Sequence, residues 1–200
     1  EALNAVHPSW HVCGFLDDDS ANHGTSVFGY TVTGPIEAAD SMNDETMFLG
    51  GVANYERPRS RAEIAQRSGM RRERFATLIH PVASVSSRAT IGKGVLIFQN
   101  AVISDGASIE DHAMLSALSY VGHHAVVGTG AVMAPRASLL GGAHLSESAY
   151  AGAHAVVKNG VTISNGAVIG MGAVVVSDVA ADATVVGNPA KPIGITEDPA

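Results

Sequence analysis

An aliphatic residue returns every six positions from Val85 to Ala180, through sixteen consecutive hexads without a slip. Fifteen of the opening residues are bulky and apolar, and Ala151 is the exception. The fifth position is always small, with twelve Ala, three Val and Ser119. A period of six fits neither the 3.6-residue turn of a helix nor the alternation of a simple strand, but it fits a short strand and a tight corner repeated along a solenoid. The repeat therefore predicts a parallel β-helix.

The same period predicts the dimensions of this β-helix. Three strands form one triangular coil of eighteen residues, so the repeat supplies a little over five coils. With stacked strands about 4.8 Å apart, the prism is expected to be roughly 25 Å long. The aliphatic openers point inward, small fifth residues fit the narrow corners, and glycines supply corners with positive φ. A buried alanine-rich helix would instead need apolar residues three and four positions apart.

Composition limits the classes of function. A 46% apolar content over 200 residues can bury a substantial core, and no run of eighteen apolar residues or signal peptide is present, so we expect a soluble, cytoplasmic protein. The single cysteine, Cys13, cannot form an internal disulfide, and we expect it to be buried in a strand. The net charge of −7 argues against nucleic acid as a general partner.

Residues 1–74 precede the repeat and predict a small α/β domain. We expect a strand over 11–16, a turn entering a short helix over 34–40, and a second strand over 46–51. A helix should follow, because Ser60 and Glu63 form a capping box and Gly69 is placed to end it.

Three further segments carry a family resemblance: Gly-Phe-Leu-Asp-Asp-Asp at 14–19, Phe-Ala-Thr-Leu-Ile-His-Pro at 75–81 and Val-Gly-Asn-Pro-Ala at 186–190. Together with the hexads, they resemble the hexapeptide-repeat sugar acyltransferases related to sialic acid O-acetyltransferases and bacillosamine-pathway N-acetyltransferases. The resemblance covers nearly the whole chain.

The resemblance implies a mainly β fold with two domains. A small Rossmann-like α/β domain over 1–74 would hold the nucleotide end of a sugar nucleotide, and a left-handed parallel β-helix with a C-terminal tail would occupy 75–200. Left-handedness is implied by the resemblance alone, because parallel crossovers are otherwise right-handed. The family also begins with a strand and a glycine-rich turn that this chain lacks before Glu1. Either the sequence is a fragment, or the protein lacks that half of the nucleotide site.

Asp17 and Asp18 are the candidate nucleotide ligands in the small domain. They follow the first predicted strand, where the fold places a carboxylate that binds ribose or base, although the acidic run equally fits an ordinary turn. Seven of the twelve basic residues also lie in this region, and they form either a solvated helix face or a surface for phosphates. These residues are Arg57, Arg59, Arg61, Arg67, Arg71, Arg72 and Arg74.

The chemistry is expected on the prism. Acyl transfer from a thioester needs a base for the acceptor's proton and donors for the tetrahedral oxyanion, and histidine suits the first role. The family's base stands third in its hexad, on a corner that faces a neighbouring subunit, and the matching hexad is 121–126. The resemblance therefore makes His123 the candidate base, with His124 in place of the family's acidic neighbour. A solvated corner side chain is the alternative.

The residues around this histidine depart from the family pattern. Ser116 and Leu118 occupy a predicted substrate-binding stretch, and Val132 stands where relatives often carry a second histidine. Leu118, Tyr120 and Val132 make the surroundings apolar. The departures fit a different acceptor sugar, a longer acyl donor or lost activity.

Coenzyme A in this family lies in a groove between two prisms and bonds mainly to backbone amides. The resemblance implies contacts at Gly141, Gly142 and Gly152, with Gly170 and Met171 farther along the groove, and Lys158 and Lys191 near the phosphates. Each glycine could equally be an ordinary corner residue.

A zinc site is not expected. The γ-class carbonic anhydrases share the prism, but the histidines here lack their ligand spacing, since eighteen-residue steps from His123 reach Asp105 and Gly141. The resemblance therefore implies a homotrimeric, metal-free, acyl-CoA-dependent acyltransferase. Its expected reaction is N-acetylation of a nucleotide-linked amino sugar for surface polysaccharide or a glycosylated product. The alternatives are sugar O-acetylation and a catalytically silent β-helix subunit.

Overall fold

The computed structural model describes residues 10–195, and most of them form a three-sided prism of parallel strands. Each hexad contributes one strand of two residues, made of the opener and the residue before it. A strand pairs with the strand eighteen residues later, as Met114 does with Val132 and Val132 with Tyr150. The parallel β-helix and its coil length are therefore confirmed.

The strands form three sheets, which we call the first, second and third faces. The first face holds Leu78–Ile79, Leu96–Ile97, Met114–Leu115, Val132–Met133, Tyr150–Ala151, Val168–Ile169, Ala183–Val186 and Lys191–Ile195. The second face holds Ser84–Val85, Val102–Ile103, Tyr120–Val121, Ser138–Leu139, Val156–Val157 and Val174–Val175. The third face holds Thr90–Ile91, Ser108–Ile109, Val126–Val127, His144–Leu145 and Thr162–Ile163.

The core consists of the hexad openers and the small fifth residues. Openers such as Ile97, Leu115 and Leu145 are fully buried, and so are fifth residues such as Ala101 and Ala125. The fourth residue of every hexad from 91 to 174 has φ between +55° and +70°, which turns the corner. Seven of these fourteen residues are glycines, and the others carry side chains.

Both ends of the prism differ from the predicted repeat. The β-helix begins one strand earlier, because Leu78–Ile79 pairs with Leu96–Ile97. After Val175 the coil shortens, so that Val168 pairs with Thr184. The strand Lys191–Ile195 then returns antiparallel along Ala183–Val186 and ends the first face.

The small domain is less regular than predicted. Its three-stranded sheet joins Phe15–Leu16 parallel to Tyr30–Gly34, which pairs antiparallel with Ser26–Val27. Among residues 10–74, short 3₁₀ helices span Ser20–Asn22, Ile36–Ser41 and Arg72–Arg74, and an α-helix, α1, spans Ser60–Arg67.

Three local predictions for this domain were wrong. The segment 46–51 makes only a single bridge, between Phe48 and Phe75, because the carbonyl of Gly50 accepts a hydrogen bond from Arg61. Cys13 is exposed, since the first strand begins two residues after it. Ser60 forms no capping box, because its hydroxyl donates to the carbonyl of Arg57.

Arginines before and after α1 join this segment to the prism. Arg59 pairs with Asp182, and Arg72 donates to Asp111 at 2.6 Å. Ala62 of α1 lies so close to Gly130 that a β-carbon on that glycine would approach within 2.9 Å of it. Gly69, with φ of +64°, follows the end of the helix as predicted. The helix therefore covers the corner that follows the third face.

Most of the seven arginines between 57 and 74 bind other groups of the same chain. Arg61 and Arg74 are only 3% and 7% exposed, and both donate to backbone carbonyls. Arg67 pairs with Asp18 and Arg71 with Asp44. No helix in residues 10–195 has the length and apolar content needed to cross a membrane.

Candidate active site

His123 and His124 lie on the corner that follows the second face, and both side chains are exposed. Their rings point in different directions along the prism. The His123 ring leans forward over Gly141 in the next coil, where a β-carbon would lie 2.4 Å from Nε2. The His124 ring leans back over Gly106, where a β-carbon would lie 2.4 Å from Nδ1. The ring centroids are 5.6 Å apart and nearly perpendicular.

The backbone explains this divergence. His124 is the fourth residue of its hexad, has φ of +55°, and donates its N–H to the carbonyl of Asp105 at 3.0 Å. His123 is the third residue, outside the left-handed region, and its carbonyl accepts from the N–H of Gly142 at 2.8 Å. Within residues 10–195, neither ring nitrogen of His123 has a hydrogen-bond partner, so the imidazole is available to a substrate.

The acid nearest along this corner is Asp105, in the preceding coil. Its carboxylate pairs with Arg88 and accepts from the hydroxyl of Ser86 at 3.3 Å. The hydrogen bond from Arg88 is the main reason that the pKa of Asp105 lies below its usual value, and His124 adds a smaller attraction. Sequence reasoning missed this ion pair, although the seventeen-residue separation of its partners places them in adjacent coils.

Ser116 and Leu118 lie on a different corner of the same chain, after the first face. Leu118 occupies a left-handed position with φ of +63° and is 47% exposed. The N–H of Ser116 donates to the carbonyl of Met133 at 2.9 Å. Its hydroxyl has no hydrogen-bond partner among the described residues. The structure therefore does not bring these residues to His123 within one chain.

The predicted coenzyme contacts are likewise divided between two corners. Gly141, Gly142 and Lys158 follow the second face, whereas Gly152, Gly170 and Met171 follow the first. The N–H groups of Gly142, Gly152 and Gly170 already donate to carbonyls at 2.8 Å. Those of Gly141 and Met171 have no acceptor within the part of the chain that the structure describes. Lys158 and Lys191 are exposed.

Asp17 and Asp18 make local contacts in the small domain. The Asp17 carboxylate accepts from the N–H of Asp19 at 2.9 Å and from the amide of Asn22 at 2.8 Å. The first of these bonds is the main cause of its lowered pKa. Asp18 accepts from the N–H of Ile36 at 3.0 Å and pairs with Arg67. These contacts fit the turn interpretation of the acidic run.

Two surface hollows of about 390 and 350 Å³ lie away from His123, beside α1 and the third face. Both are lined by Arg72, Asp111 and Thr129, and His123 lines neither. No group of three or more potential metal ligands occurs in residues 10–195.

Comparison with models of known protein families found no match, and comparison with curated protein sequences found none either. Solved structures do match. The acetyltransferase domain of PglB from Neisseria gonorrhoeae is 29% identical with a TM-score of 0.82, and the match covers 96% of this chain and 91% of that one. It has also been solved with acetyl coenzyme A. WeeI from Acinetobacter baumannii is 27% identical with a TM-score of 0.81, over 96% and 92% of the two chains.

A third solved structure is a histidine-to-asparagine variant of perosamine N-acetyltransferase from Caulobacter crescentus, in complex with CoA and GDP-perosamine. It is 26% identical with a TM-score of 0.77, and the match covers 90% of this chain and 84% of that one. Over at least 90% of its length, the chain is similar in sequence and fold to these hexapeptide-repeat acetyltransferases. On the corner that follows the second face, the His123 imidazole is exposed, and the N–H of Gly141 beneath it has no acceptor among the described residues.

Proposed function

We propose that this acyltransferase moves an acetyl group from acetyl-CoA to the amino group of a nucleotide-linked sugar, with His123 as the general base. The observation that carries the proposal is the exposed, unpaired imidazole of His123 lying directly over Gly141, whose N–H is also unpaired among the described residues. The named N-acetyltransferase at 26% identity supports an amine acceptor over a hydroxyl.

The reaction needs three changes that these groups can perform. As the amine nitrogen attacks the thioester carbonyl, an imidazole nitrogen of His123 takes the proton that the amine loses. The carbonyl oxygen becomes an oxyanion, which accepts a hydrogen bond from the N–H of Gly141. When the intermediate collapses, the carbon–sulfur bond breaks, and the imidazolium returns its proton to the departing thiolate. The products are an amide and free CoA.

The two corners with predicted coenzyme contacts support a homotrimer. In this arrangement, the second-face corner of one left-handed prism, with His123, Gly141 and Gly142, faces the first-face corner of its neighbour. The neighbour then supplies Gly152, Gly170 and Met171 for the pantetheine, while Lys158 and Lys191 meet the phosphates. Ser116 and Leu118 lie on that same first-face corner and would contact the acceptor sugar.

We place the nucleotide end of the acceptor against a Rossmann-like small domain, near Asp17 and Asp18. Each carboxylate keeps lone pairs beyond its local contacts, so both can still accept from a ribose or a base. The Arg67–Asp18 pair would then orient one of these acceptors.

Thiol release from acetyl-CoA tests the proposal. The purified protein is supplied with UDP- and GDP-linked amino sugars, and with the matching sugars that carry a hydroxyl in place of the amine. We expect release with at least one amino sugar and none with its hydroxyl counterpart. Release with the hydroxyl sugar alone would indicate O-acetylation, and no release with any acceptor would indicate a silent prism.

A further inference from the structure

Gly141 is the only glycine at the third position of the fourteen hexads from 91 to 174. The thirteen other third positions carry side chains as different as Lys93, Pro135 and Met171. The backbone of Gly141 also lies outside the left-handed region, so its conformation suits an L-residue. The fold therefore gives no conformational reason for a glycine at position 141.

The imidazole of His123 supplies a steric reason. A β-carbon on Gly141 would lie 2.4 Å from Nε2, 2.6 Å from Cε1 and 2.9 Å from Cδ2 of that ring. All three distances are shorter than real β-carbon contacts, so the ring and a side chain cannot share this space.

The other two rings that lie over glycines do not show the same dependence. His112 lies over Gly94 and His124 lies over Gly106, but those glycines have φ of +67° and +65°. A left-handed corner favours glycine without any ring above it. Only at Gly141 does the imidazole alone account for the missing side chain.

The backbone beside the ring is closely packed. A β-carbon on Gly122 would lie 2.5 Å from the backbone nitrogen of Gly141, so the two coils are in close contact beside the histidine. Gly141 itself is buried, whereas the His123 side chain is exposed. A side chain at position 141 would therefore displace the ring outward, toward solvent.

We infer that Gly141 is a positioning residue, whose missing side chain holds the His123 imidazole beside the Gly141 N–H. The base and the oxyanion donor then reach the same thioester carbonyl. This inference rests on the proposed function, because it assigns His123 as the base. Gly141 then has two roles, because its missing side chain positions the base and its N–H donates to the oxyanion.

Gly141→Ala isolates this role. The backbone accepts alanine at position 141, so the variant should fold, but the ring must move by about 1 Å or more. Misplacement on this scale costs up to about a hundredfold in rate. We expect kcat to fall by roughly ten- to a hundredfold, while the dissociation constant for acetyl-CoA stays within about twofold of wild type.

Gly160→Ala is the matched control. Gly160 lies on the same corner one coil beyond Gly142, has φ of +70°, and would place a β-carbon in open space. Alanine is strained there, so this variant should lose thermal stability but keep the wild-type kcat. It separates a loss of stability from a displaced base.

The direct readout is the ring resonance of His123 in the intact protein, labelled with ¹³C at the histidine ε1 carbons and assigned by its disappearance in His123→Ala. We expect this resonance to move in Gly141→Ala and to stay in place in Gly160→Ala. An unmoved resonance with wild-type kcat in Gly141→Ala would overturn the inference. So would a loss confined to acetyl-CoA affinity. An active His123→Ala variant would instead refute the proposed base, and with it the catalytic role of Gly141, while the resonance still reports whether glycine sets the ring position.

Discussion

Replacing Arg61 tests whether its buried guanidinium holds the small domain to the prism. It donates to the carbonyls of Gly50 at 2.7 Å and Val52 at 3.0 Å, and also to that of His112 in the prism. No carboxylate accepts from it among the described residues. Burial lowers the pKa of Arg61 from its ordinary value to about 10, which corresponds to roughly 3 kcal/mol against the charged form.

The hydrogen bonds should outweigh this penalty. Hydrogen bonds to charged groups contribute about 1.5–3 kcal/mol each, and Arg61 donates to the carbonyls of Gly50, Val52 and His112. We therefore expect Arg61→Met to lower the free energy of unfolding by about 2–5 kcal/mol, because the same carbonyls lose their donor while the desolvation penalty is removed. The free energy of unfolding of Arg61→Lys should lie between those of the wild type and Arg61→Met, since one ammonium group cannot reproduce the planar fork of the guanidinium.

Urea denaturation followed by circular dichroism measures these differences. Arg67→Met is the control, because Arg67 forms an exposed ion pair with Asp18, and such pairs contribute at most about 1 kcal/mol. If Arg61→Met matched Arg67→Met in stability, the guanidinium would not be holding the two parts of the chain together.

Three further predictions follow from single features. Ser119 is 1% exposed and its hydroxyl has no partner among the described residues, so Ser119→Ala should raise the free energy of unfolding by about 1–2 kcal/mol in urea; an unchanged midpoint would contradict this. Burial is the main cause of the lowered pKa of His112, so the unfolded chain binds its proton more readily and stability should fall as pH drops below about 6.5. His112→Asn should weaken this dependence in thermal melts between pH 7 and 5, and an identical slope would assign the dependence to other groups. Light scattering should find three chains per particle, whereas a stable monomer would remove the neighbouring corner from the proposed site.

The prism could be predicted from sequence because the buried positions of each hexad can be recognised from the residues of that hexad alone. An inward opener and a small fifth residue are local requirements, so their period revealed the strands and the coil length. The same rule would have found the earlier strand, because Ile79 and Ala83 continue the pattern by six. The shortened last coil, where Val168 pairs with Thr184, breaks the period and carries no such sign.

The small domain was harder to predict because distant contacts decide its structure. The segment 46–51 has the composition of a strand, yet it makes a single bridge, and the Gly50 carbonyl accepts from the distant Arg61 side chain and not from a strand. Helix α1 was predicted correctly, but its capping box was not, since Ser60 donates to the Arg57 carbonyl. Individual polar partners outweigh local propensity where short elements bury little apolar surface.

The histidine corner lies between these cases. An eighteen-residue step from His123 reaches Gly141 in the sequence, but the sequence does not show which way each ring leans. The left-handed backbone of His124 sends its ring back over Gly106, while His123 leans forward. That difference in backbone conformation separates two adjacent residues of the same type.

The activities of His123→Ala and His124→Ala, compared side by side, test the central claim most directly. Both replace an exposed ring on the same corner, so a general effect on that corner should appear in both. Thiol release from acetyl-CoA with the preferred amino sugar should fall by about a hundredfold or more in His123→Ala, as expected for loss of a general base. His124→Ala should retain most of the rate. Full activity in His123→Ala with loss in His124→Ala would contradict the account and move the base to the ring over Gly106.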